Sequence, residues 1–596
     1  MSTPLLKLPN TLKASAAAVL GAVLFGAEIG YWSQTSNFVS FNRVMTGDMD
    51  VEISANELTL LTCTLYIVGF LFALPPVTRI FAGGLGRRMT LIISGFLFAV
   101  AMAMQASAAH ISYPASKALL WSGRALLGVP VAFSVTTSPM FLSEISPYEH
   151  RGLIGGLFQF SLMVFLVVAS GIGMAINSSF PDSDNAYQYS VWWMVPLGLL
   201  VSGAMYFSNE TPQFLLLNGK DDEAEAVLYH LRKGADEKAT RREFKLMKDD
   251  ILAQKSLGDV TLKGLFSGFT LRIIIIVCVT QFLQQFSGMN VLNNFSPKLY
   301  SSLVSNPDMM GFIGNVIQLI ATIPSALLVD RLGRRPLLMF GAAFLALAWT
   351  VIGILGVVSF NHPEHCYKIL DCPEGGDYYC DSDALFTTQE MAIENVCGVA
   401  SSGSSSNYTA CSDELNLTPS DSFNLDCLHT GDGAPTAAHP HPFVSPIVGY
   451  VFIAMTYIVS FVFGLTLGPV IWSYNAEIAP AAVRAQIVGL SAASNLFFNA
   501  VVVSPMIGEL INSLGFNSFW VFVVIMSIAF VVFYWLVETK DLPVEIVTEK
   551  WEEKLNCKYT NLHHSTNGCA TTGMNDDDST TNNNDNDNED DENDLA

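Results

Sequence analysis

The sequence predicts an all-α membrane protein with twelve transmembrane helices in two six-helix, pseudo-symmetric bundles, and three observations predict it. Half of the 596 residues are hydrophobic and only 14% are charged, against about 25% in soluble domains. Apolar runs near the ~20 residues that cross a bilayer recur along the chain. Two motifs also recur at matching places in the two halves. The net charge of −23 is concentrated in one polar loop and an acidic tail, and it predicts no nucleic-acid partner.

Twelve predicted spans are separated by polar segments. They are 14–34, 57–77, 88–108, 118–142, 153–176, 190–208, 271–297, 309–329, 336–358, 445–470, 485–512 and 516–537. The first is expected to be retained as a signal anchor, because the start of the chain lacks the pattern of a removable signal peptide.

The spans divide the chain into the following predicted units: a cytoplasmic N-terminus, 1–13; an N-terminal bundle, 14–208; an intracellular helical linker, 209–270; a C-terminal bundle, 271–540; and a cytoplasmic acidic tail, 541–596. The linker has alternating charges with apolar residues at helical spacing, which favours ordered helices over a solvated connection. The tail is expected to be disordered after about residue 557, because it combines low hydrophobicity with high charge.

The placement of Lys and Arg predicts the orientation in the membrane. One set of connections carries most of the basic residues, whereas the opposite set carries only Arg43, Lys117, Lys298 and Lys368. By the positive-inside rule the basic side is cytoplasmic, and both termini lie there. A multi-pass protein of the plasma membrane is expected, with a vacuolar or other endomembrane location as the alternative.

The repeated motifs follow corresponding spans. Gly86-Arg87-Arg88 follows the second span and Gly333-Arg334-Arg335 the eighth; Glu144, Pro147 and Arg151 recur as Glu477, Pro480 and Arg484. Such duplication places a substrate site where the halves meet, near the middle of the membrane. We also expect cytoplasmic ion pairs that hold an outward-open state, formed by Arg87, Arg88, Glu144, Arg151, Asp330, Arg334, Arg335, Glu477 and Arg484.

An insertion at 360–443 is predicted to be an extracellular, disulfide-rich loop. It holds Cys366, Cys372, Cys380, Cys397, Cys411 and Cys427, an even number that predicts three disulfides with fifteen possible pairings. A cysteine metal site is the alternative, and the absence of CxxC spacing argues against it. Asn407 and Asn416 stand in glycosylation sequons.

Four carboxamides in the predicted seventh span indicate a ligand. Gln281, Gln284, Gln285 and Asn290 follow the apolar run LRIIIIVCVT and are predicted to lie in one helix. Amides are costly in hydrocarbon unless they meet polar groups or line a wet cavity. Each amide donates and accepts hydrogen bonds, which suits an uncharged, hydroxyl-rich solute. The alternative is that they only tie helices together.

Two ionisable residues, Glu28 and Arg124, lie inside predicted spans. Intramembrane charges are expensive, commonly paired and usually functional. With Arg124 near, the carboxylate is favoured; with Arg124 withdrawn, a desolvated Glu28 takes up a proton. This predicts proton coupling, and a permanent ion pair in a uniporter is the alternative.

The chain shows no P-loop, zinc-binding pattern or nucleophile motif. We therefore expect no catalytic residue, no metal, no cofactor and no enzyme activity.

Six motifs together resemble the sugar porter family of the major facilitator superfamily. They are SEISPYEHRG at 143–152, ETPQFLL at 210–216, QQFSGMN at 284–290, LVDRLGRRPLL at 328–338, GPVIW at 468–472 and VETKDLPVE at 537–545. The resemblance covers about residues 15–550, except the insertion. The main departures are Gly83-Gly84 where the family has Asp-Arg, which implies a weakened ionic latch, and Glu28 where proton-symporter-like members have Asp.

The resemblance implies the major facilitator fold, alternating access and a set of sugar ligands. The implied ligands are Gln159, Gln281, Gln284, Gln285, Asn290, Gln318, Trp472, Asn495 and Asn499. We therefore expect transport of a monosaccharide, a hexose such as glucose, by proton symport, with the sugar, a proton and the bilayer as partners. The alternatives are a facilitative uniporter for a sugar or inositol-like polyol, and a sugar receptor that does not transport.

Overall fold

A computed structural model describes most of the membrane region. The described residues are 9–35, 38–49, 51, 53–147, 150–180, 183, 185–256, 262–290, 292–293, 300, 307–360, 367–368, 385–386, 446–480, 483–500, 518–540, 542 and 544–557. The six cysteines of the insertion, both sequons and the tail after 557 lie outside this part of the chain, so the predictions made for them stay predictions.

The described chain is almost entirely helical. Its α-helices are α1 (Pro9–Thr35), α2 (Val39–Thr46), α3 (Ala55–Phe72), α4 (Pro75–Thr78), α5 (Arg87–Ser107), α6 (Ala115–Ile145), α7 (Arg151–Ser179), α8 (Ala186–Trp192), α9 (Met194–Tyr206), α10 (Pro212–Leu217), α11 (Asp221–Leu231), α12 (Glu237–Ser256), α13 (Leu262–Leu265), α14 (Gly268–Gln285), α15 (Pro307–Leu332), α16 (Arg334–Phe360), α17 (Pro446–Leu465), α18 (Leu467–Glu477), α19 (Arg484–Phe498), α20 (Trp520–Trp535) and α21 (Val544–Leu555). A π-helix covers Arg79–Leu85 and a 3₁₀ turn Ala108–His110. Two short antiparallel strands, β1 (Tyr367–Lys368) and β2 (Leu385–Phe386), pair with each other.

Eight of the described helices are long and apolar enough to cross a membrane. A ninth span results if the bent pair Asn56–Phe72 and Pro75–Leu85 is counted as one, and the apolar helix Trp520–Trp535 is shorter. The chain is therefore a multi-pass membrane protein whose described part is almost entirely helical, and the count of twelve spans remains a prediction.

Four predicted spans are not continuous helices. The predicted span 57–77 bends by 60° after Phe72, where Pro75 begins a new helix and cannot donate to the preceding turn. The predicted span 190–208 corresponds to two helices that meet at Trp193. The predicted span 445–470 breaks at Thr466 and its second helix runs on to Glu477.

The fourth break ends α14 at Gln285. Gly288 has φ +85°, and a Cβ there would lie 2.3 Å from the Trp349 ring. Only glycine tolerates both conditions, so the chain turns and Trp349 fills the space. The prediction that Asn290 shares one helix with Gln281, Gln284 and Gln285 is therefore wrong.

Two hydrophobic clusters form the interior. One is built almost wholly from residues 18–231, and the other from residues 265–557. Within the first part, α1 packs on α7, and α5 on α6 and α9; within the second, α16 packs on α17 and α20, and α14 on α19. The two parts meet where α7 packs on α15 and α3 on α19.

The predicted linker contains helices, as its periodicity indicates. Leu215 and Leu216 of α10, Leu228 of α11, and Phe244 and Ile251 of α12 form a small cluster of their own. Arg232 anchors it, donating to the carbonyl of Ile145 at the end of α6 (2.9 Å) and pairing with Glu243 (2.8 Å).

Candidate functional site: a buried amide network, an intramembrane ion pair and two repeated triads

The amides of α14 bind neighbouring helices. Asn495 of α19 donates to the Oε1 atoms of Gln281 (2.7 Å) and Gln284 (3.0 Å). Gln281 in turn donates to the Ser491 hydroxyl (3.0 Å). Gln284 donates to the carbonyls of Leu467 (3.0 Å) and Gly468 (3.1 Å) where α17 gives way to α18. These bonds satisfy the polar atoms of both glutamines and tie α14 to α18 and α19.

Gln281 is fully buried (0% exposed), so the helix-tying alternative describes its contacts best. Gln284 is 6% exposed and equally well bonded. A sugar that used either amide would have to replace a hydrogen bond that the protein already makes, which costs about 1 kcal/mol per exchanged bond.

Gln285 and Asn290 form a second pair, of which Asn290 is the more accessible member. Gln285 donates to the carbonyl of Asn495 (3.2 Å), and Asn290 donates to Oε1 of Gln285. Asn290 is half-buried. The turn at Gly288 thus brings a half-buried amide back against the end of α14, although the helix itself has ended.

One of the implied ligands, Trp472, contacts the other part of the molecule next to a second one, Gln159. Trp472 of α18 packs on Phe158 of α7, with ring centroids 5.7 Å apart. Gln159, the next residue of α7, keeps a small exposed fraction. The amide network therefore lies beside the interface with α7.

The other two ligand positions are less central. Asn499 follows the end of α19 and is nearly buried. Gln318 of α15 is buried against Gly464 of α17, and no hydrogen bond to its Oε1 is found among the described residues.

Sequence reasoning missed a second layer of this network. Thr280 donates to Oδ1 of Asn475 (2.9 Å), and Asn475 donates to the Ser491 hydroxyl (2.9 Å). All three side chains are buried. Asn475 lies outside the predicted spans, in the segment between 470 and 485, so the span prediction gave no signal for it.

Glu28 and Arg124 meet in the interior of the N-terminal part. Nη1 of Arg124 lies 2.8 Å from Oε1 of Glu28, and both side chains are at most 1% exposed. Among the described residues, Oε2 of Glu28 and the Nε and Nη2 atoms of Arg124 have no hydrogen-bond partner. The pair is thus held by a single short contact, which leaves each charge only partly compensated.

Trp32, which the sequence did not single out, supplies part of the compensation. Its ring lies 3.7 Å from Cζ of Arg124, a close cation–π contact. The indole nitrogen of Trp32 donates to Thr62 (2.8 Å). Trp32 stands one helical turn after Glu28 on α1, so the same helix face presents both the carboxylate and the ring.

The repeated motifs form the same triad twice, at the predicted cytoplasmic end. Arg87 pairs with Glu144 (2.8 Å), and Thr211 donates to the other carboxylate oxygen of Glu144 (2.6 Å). In the second half, Arg334 pairs with Glu477 (2.8 Å) and Thr539 donates to Glu477 (2.5 Å). We call these the N-terminal triad and the C-terminal triad.

A second carboxylate supports each triad. Glu210 accepts from the backbone amide of Arg88, and Glu538 accepts from the amides of Arg334 and Arg335 at 2.9 Å. A carboxylate at a helix N-terminus satisfies exposed amides and the helix dipole. Burial raises the pKa of the Glu210 carboxyl, and the backbone amide of Thr211 opposes that shift.

Two of the predicted ion pairs are wrong for the described residues. The Arg88 side chain donates instead to the carbonyls of Met205 (3.2 Å) and Tyr206 (2.5 Å). The Arg335 side chain has no carboxylate partner and stacks on Tyr534 (4.9 Å). In both cases the neighbouring Glu is occupied by backbone amides. The side chain of Arg151 lies outside the described part of the chain.

The two halves are joined at this end. Asp330 lies 3.4 Å from Arg334 and accepts from the backbone amide of Leu153 on α7 (2.8 Å). Arg484 of α19 donates to Oε1 of Gln213 on α10 (2.8 Å). The N-terminal half has Gly83-Gly84 at the position that corresponds to Asp330, so only the C-terminal triad is linked to the opposite half through an aspartate.

We expect Thr211→Val and Thr539→Val each to lower stability by about 2 kcal/mol, the usual value of a hydrogen bond to a charged group. The two substitutions should have similar effects because the two triads have the same geometry. The measurement is the thermal unfolding midpoint of the detergent-solubilised protein. Thr350→Val is the control, since that hydroxyl bonds only to a carbonyl of its own helix; equal midpoints for all three variants would contradict the prediction.

The helical fold, the buried amides of the C-terminal half and the intramembrane ion pair are together typical of a membrane transporter of the major facilitator type. A family model described as "Sugar (and other) transporter" matches residues 14–369 and 433–551. The chain therefore belongs to this sugar transporter family.

Similar proteins agree with that assignment, and a solved structure shares the fold. The chain is 30% identical over 358 residues to Sugar transport protein 2 of Arabidopsis thaliana, covering 57% of this chain and 68% of that protein. It is 29% identical over 300 residues to a high-affinity glucose transporter of Kluyveromyces lactis, covering 48% of this chain and only 51% of the yeast protein. The fold matches the proton:xylose symporter XylE bound to 6-bromo-6-deoxy-D-glucose with a TM-score of 0.68 at 19% identity, over 91% of this chain and 99% of XylE.

Proposed function

We propose that this protein transports a monosaccharide, with a hexose as the substrate, by alternating access between two bundles of six spans each. The proposal is supported by the family and by relatives whose names describe sugar and glucose transport. The structural observation that carries it is the network of uncharged amides beside the interface with α7. The plasma membrane is the proposed location, with both termini on the cytoplasmic side.

Within this network, Asn290 and Gln285 are proposed as groups that contact the sugar directly. Asn290 is half-buried, whereas the three glutamines of α14 are buried, and its amide can exchange its bond to Gln285 for a sugar hydroxyl. Gln159 and Trp472 are proposed to close the site from the α7 side. Gln281 is proposed to hold α14 in position, because it has no exposed surface.

Labelled hexose uptake in a transporter-null cell tests this assignment. Asn290→Ala is expected to raise the KM by about tenfold, the cost of losing one to two good hydrogen bonds (about 1.4 kcal/mol). Gln281→Ala is expected to lower the amount of folded protein while the KM of what remains changes little. Gln188→Ala, a buried glutamine of α8 that bonds Asn185, is the control.

The outcome that would contradict the assignment is an unchanged KM in Asn290→Ala. Equal losses of affinity in Asn290→Ala and Gln281→Ala would contradict the division of roles. If no hexose is taken up at all, although the protein is folded and at the cell surface, the receptor alternative is supported, and deletion of residues 558–596 would then test signalling.

We further propose that uptake is coupled to protons through Glu28 and Arg124. The support is a fully buried carboxylate whose Oε2 has no hydrogen-bond partner among the described residues, and whose protonation is governed by whether Arg124 stays in place. Facilitative uniport is a second candidate, and one observation favours it. Trp32 stacks on Arg124 and holds it against Glu28, as expected of a permanent pair.

A further inference from the structure

A groove on the outer surface of the C-terminal half lies between α16 and α20, near the predicted cytoplasmic end. Its volume is about 560 Å³, and it is lined mainly by apolar side chains. The principal ones are Leu332, Pro336, Met339, Phe340, Phe344 and Phe530. Several of these are well exposed, with Phe340 and Phe344 at 43%. Because α16 is long and apolar enough to cross a membrane and α20 belongs to a predicted span, we expect the groove to face lipid.

One charged side chain, Arg335, stands at the head of this α16–α20 groove. Its backbone amide donates to Glu538, but among the described residues its guanidinium makes no hydrogen bond or ion pair. The Nε atom is buried and unsatisfied, and the group is held over the Tyr534 ring (4.9 Å). A half-buried guanidinium with no acceptor is costly unless an anion completes its hydrogen bonds.

The symmetry-related arginine shows what is missing. Arg88 also lies over a tyrosine ring, that of Tyr206 (5.7 Å), but it donates to the carbonyls of Met205 and Tyr206. Arg335 occupies the equivalent position after the equivalent glycine and has no such acceptor in the described residues. The two equivalent arginines therefore differ in one respect: Arg335 is left available to an external anion, whereas Arg88 is not.

A second cation stands close to the same place. Lys554 of α21 lies over the Trp535 ring (5.2 Å), and burial together with the charge of Arg335 lowers the pKa of its amine. Glu538 also lines the groove and keeps its negative charge, but its oxygens accept from the backbone amides of Arg334, Arg335 and Thr539, so it forms no side-chain pair with either cation. Two cations against one carboxylate leave a net positive charge beside the apolar groove, which favours an amphipathic anion.

We propose that the α16–α20 groove binds an anionic phospholipid of the cytoplasmic leaflet. The phosphate accepts hydrogen bonds from the Arg335 guanidinium, a geometry that suits arginine, and an acyl chain lies along Phe340, Phe344 and Phe530. The cytoplasmic leaflet supplies anionic lipid at this level, and aromatic residues are typical of that boundary. The proposal rests on the predicted orientation and is independent of which solute is transported.

The chain's own acidic tail is the competing occupant. It supplies negative charge, but residues 574–596, MNDDDSTTNNNDNDNEDDENDLA, contain almost no apolar side chains. Such a segment satisfies Arg335 without filling the apolar part of the groove. The apolar lining therefore favours lipid over the tail.

The test uses the full chain in nanodiscs of phosphatidylcholine with phosphatidylserine, followed by native mass spectrometry of retained lipid. Arg335→Gln is expected to reduce retained phosphatidylserine about tenfold relative to the parent protein. Arg331→Gln, which removes the same charge from an exposed residue four positions earlier, should leave retention unchanged. Ala343→Trp, which fills the groove but keeps the arginine, should also reduce retention.

Folding is checked independently by the thermal unfolding midpoint in pure phosphatidylcholine, where Arg335→Gln and the parent should agree. Equal retention in Arg335→Gln and the parent overturns the proposal, and so do equal losses in Arg335→Gln and Arg331→Gln. If inorganic phosphate displaces the lipid while Ala343→Trp has no effect, the site takes phosphate and not a lipid. If deleting residues 558–596 removes the effect of Arg335→Gln, the tail is the occupant and the proposal fails.

Discussion

Replacing Glu28 by glutamine is expected to abolish concentrative sugar uptake while sugar exchange continues. Glutamine has nearly the same size as glutamate. It keeps an oxygen that can accept a hydrogen bond from Nη1 of Arg124, which lies 2.8 Å from Oε1 of Glu28. It cannot take up or release a proton, so the step that couples the proton gradient to the cavity is lost. Removing one partner of a buried ion pair usually costs about 3–5 kcal/mol. Here the loss is reduced because the Trp32 ring still faces the Arg124 guanidinium at 3.7 Å.

Two assays on the same variant separate coupling from transport. Labelled sugar accumulation is measured in a transporter-null cell with and without a protonophore, and counterflow exchange is measured in proteoliposomes. Glu57→Gln is the matched control, because Glu57 pairs with Lys117 at 2.5 Å with both side chains partly exposed; it should leave accumulation intact.

The results then decide between the two candidate modes of transport. If Glu28→Gln no longer accumulates sugar but still exchanges it, the result supports symport. Accumulation unaltered in Glu28→Gln rules out Glu28 as the coupling group. If the parent protein never concentrates sugar and ignores the protonophore, the ion pair is structural and the protein is a uniporter.

The ion pair illustrates what a sequence predicts well. Burying a carboxylate or a guanidinium alone inside an apolar span is costly, so the sequence predicts that the two groups pair. The partner ring of Trp32 was not predicted, because an aromatic residue in a membrane helix is most often simply packing. Its role depends on the relative rotation of α1 and α6, which single-helix periodicity does not determine.

The amide network illustrates the opposite case. Helical spacing placed Gln281, Gln284 and Gln285 on or near one face correctly, but it extended that helix through Gly288. Whether a glycine continues a helix depends on what lies beside it, and here the neighbour is Trp349, some sixty positions later in the chain. The satisfied bonds from Asn495 to Gln281 and Gln284 also depend on the packing of α14 against α19. Sequence spacing identified the polar residues but not their partners.

The duplicated triads lie between these cases. The repeat of Gly-Arg-Arg and of the Glu-containing motif was visible in the sequence, and the pairs Arg87–Glu144 and Arg334–Glu477 form at the same distance. Thr211 and Thr539 complete both triads although each comes from a distant segment. The recurring dipeptide Glu-Thr at 210–211 and 538–539 was the signal that would have revealed them.

Glu477→Gln is expected to open the cytoplasmic side of the transporter, whereas Glu144→Gln is not. Both substitutions leave a buried arginine without its carboxylate, and both are expected to lower stability by about 3–5 kcal/mol. Only Arg334, however, also contacts Asp330, which accepts from the Leu153 amide of the opposite half. When Glu477 is lost, Arg334 moves onto Asp330 as its remaining acidic partner, and the bond between Asp330 and Leu153 weakens.

Labelling of a cysteine introduced at Ala326 measures this opening. Ala326 lies against Gly156 of α7, where a Cβ on the glycine would be 3.1 Å away, so the position becomes accessible only when the halves separate. In inside-out vesicles a membrane-impermeant thiol reagent should label the cysteine about tenfold faster in Glu477→Gln, which corresponds to a shift of about 1.4 kcal/mol. In Glu144→Gln the cysteine should be labelled at the parent rate. Arg87, the partner of Glu144, has Gly83 where the second half has Asp330, so it has no corresponding link to the other half. Equal acceleration by both substitutions would mean that lost stability opens the protein, and no acceleration by either would mean that Asp330 does not hold the halves together.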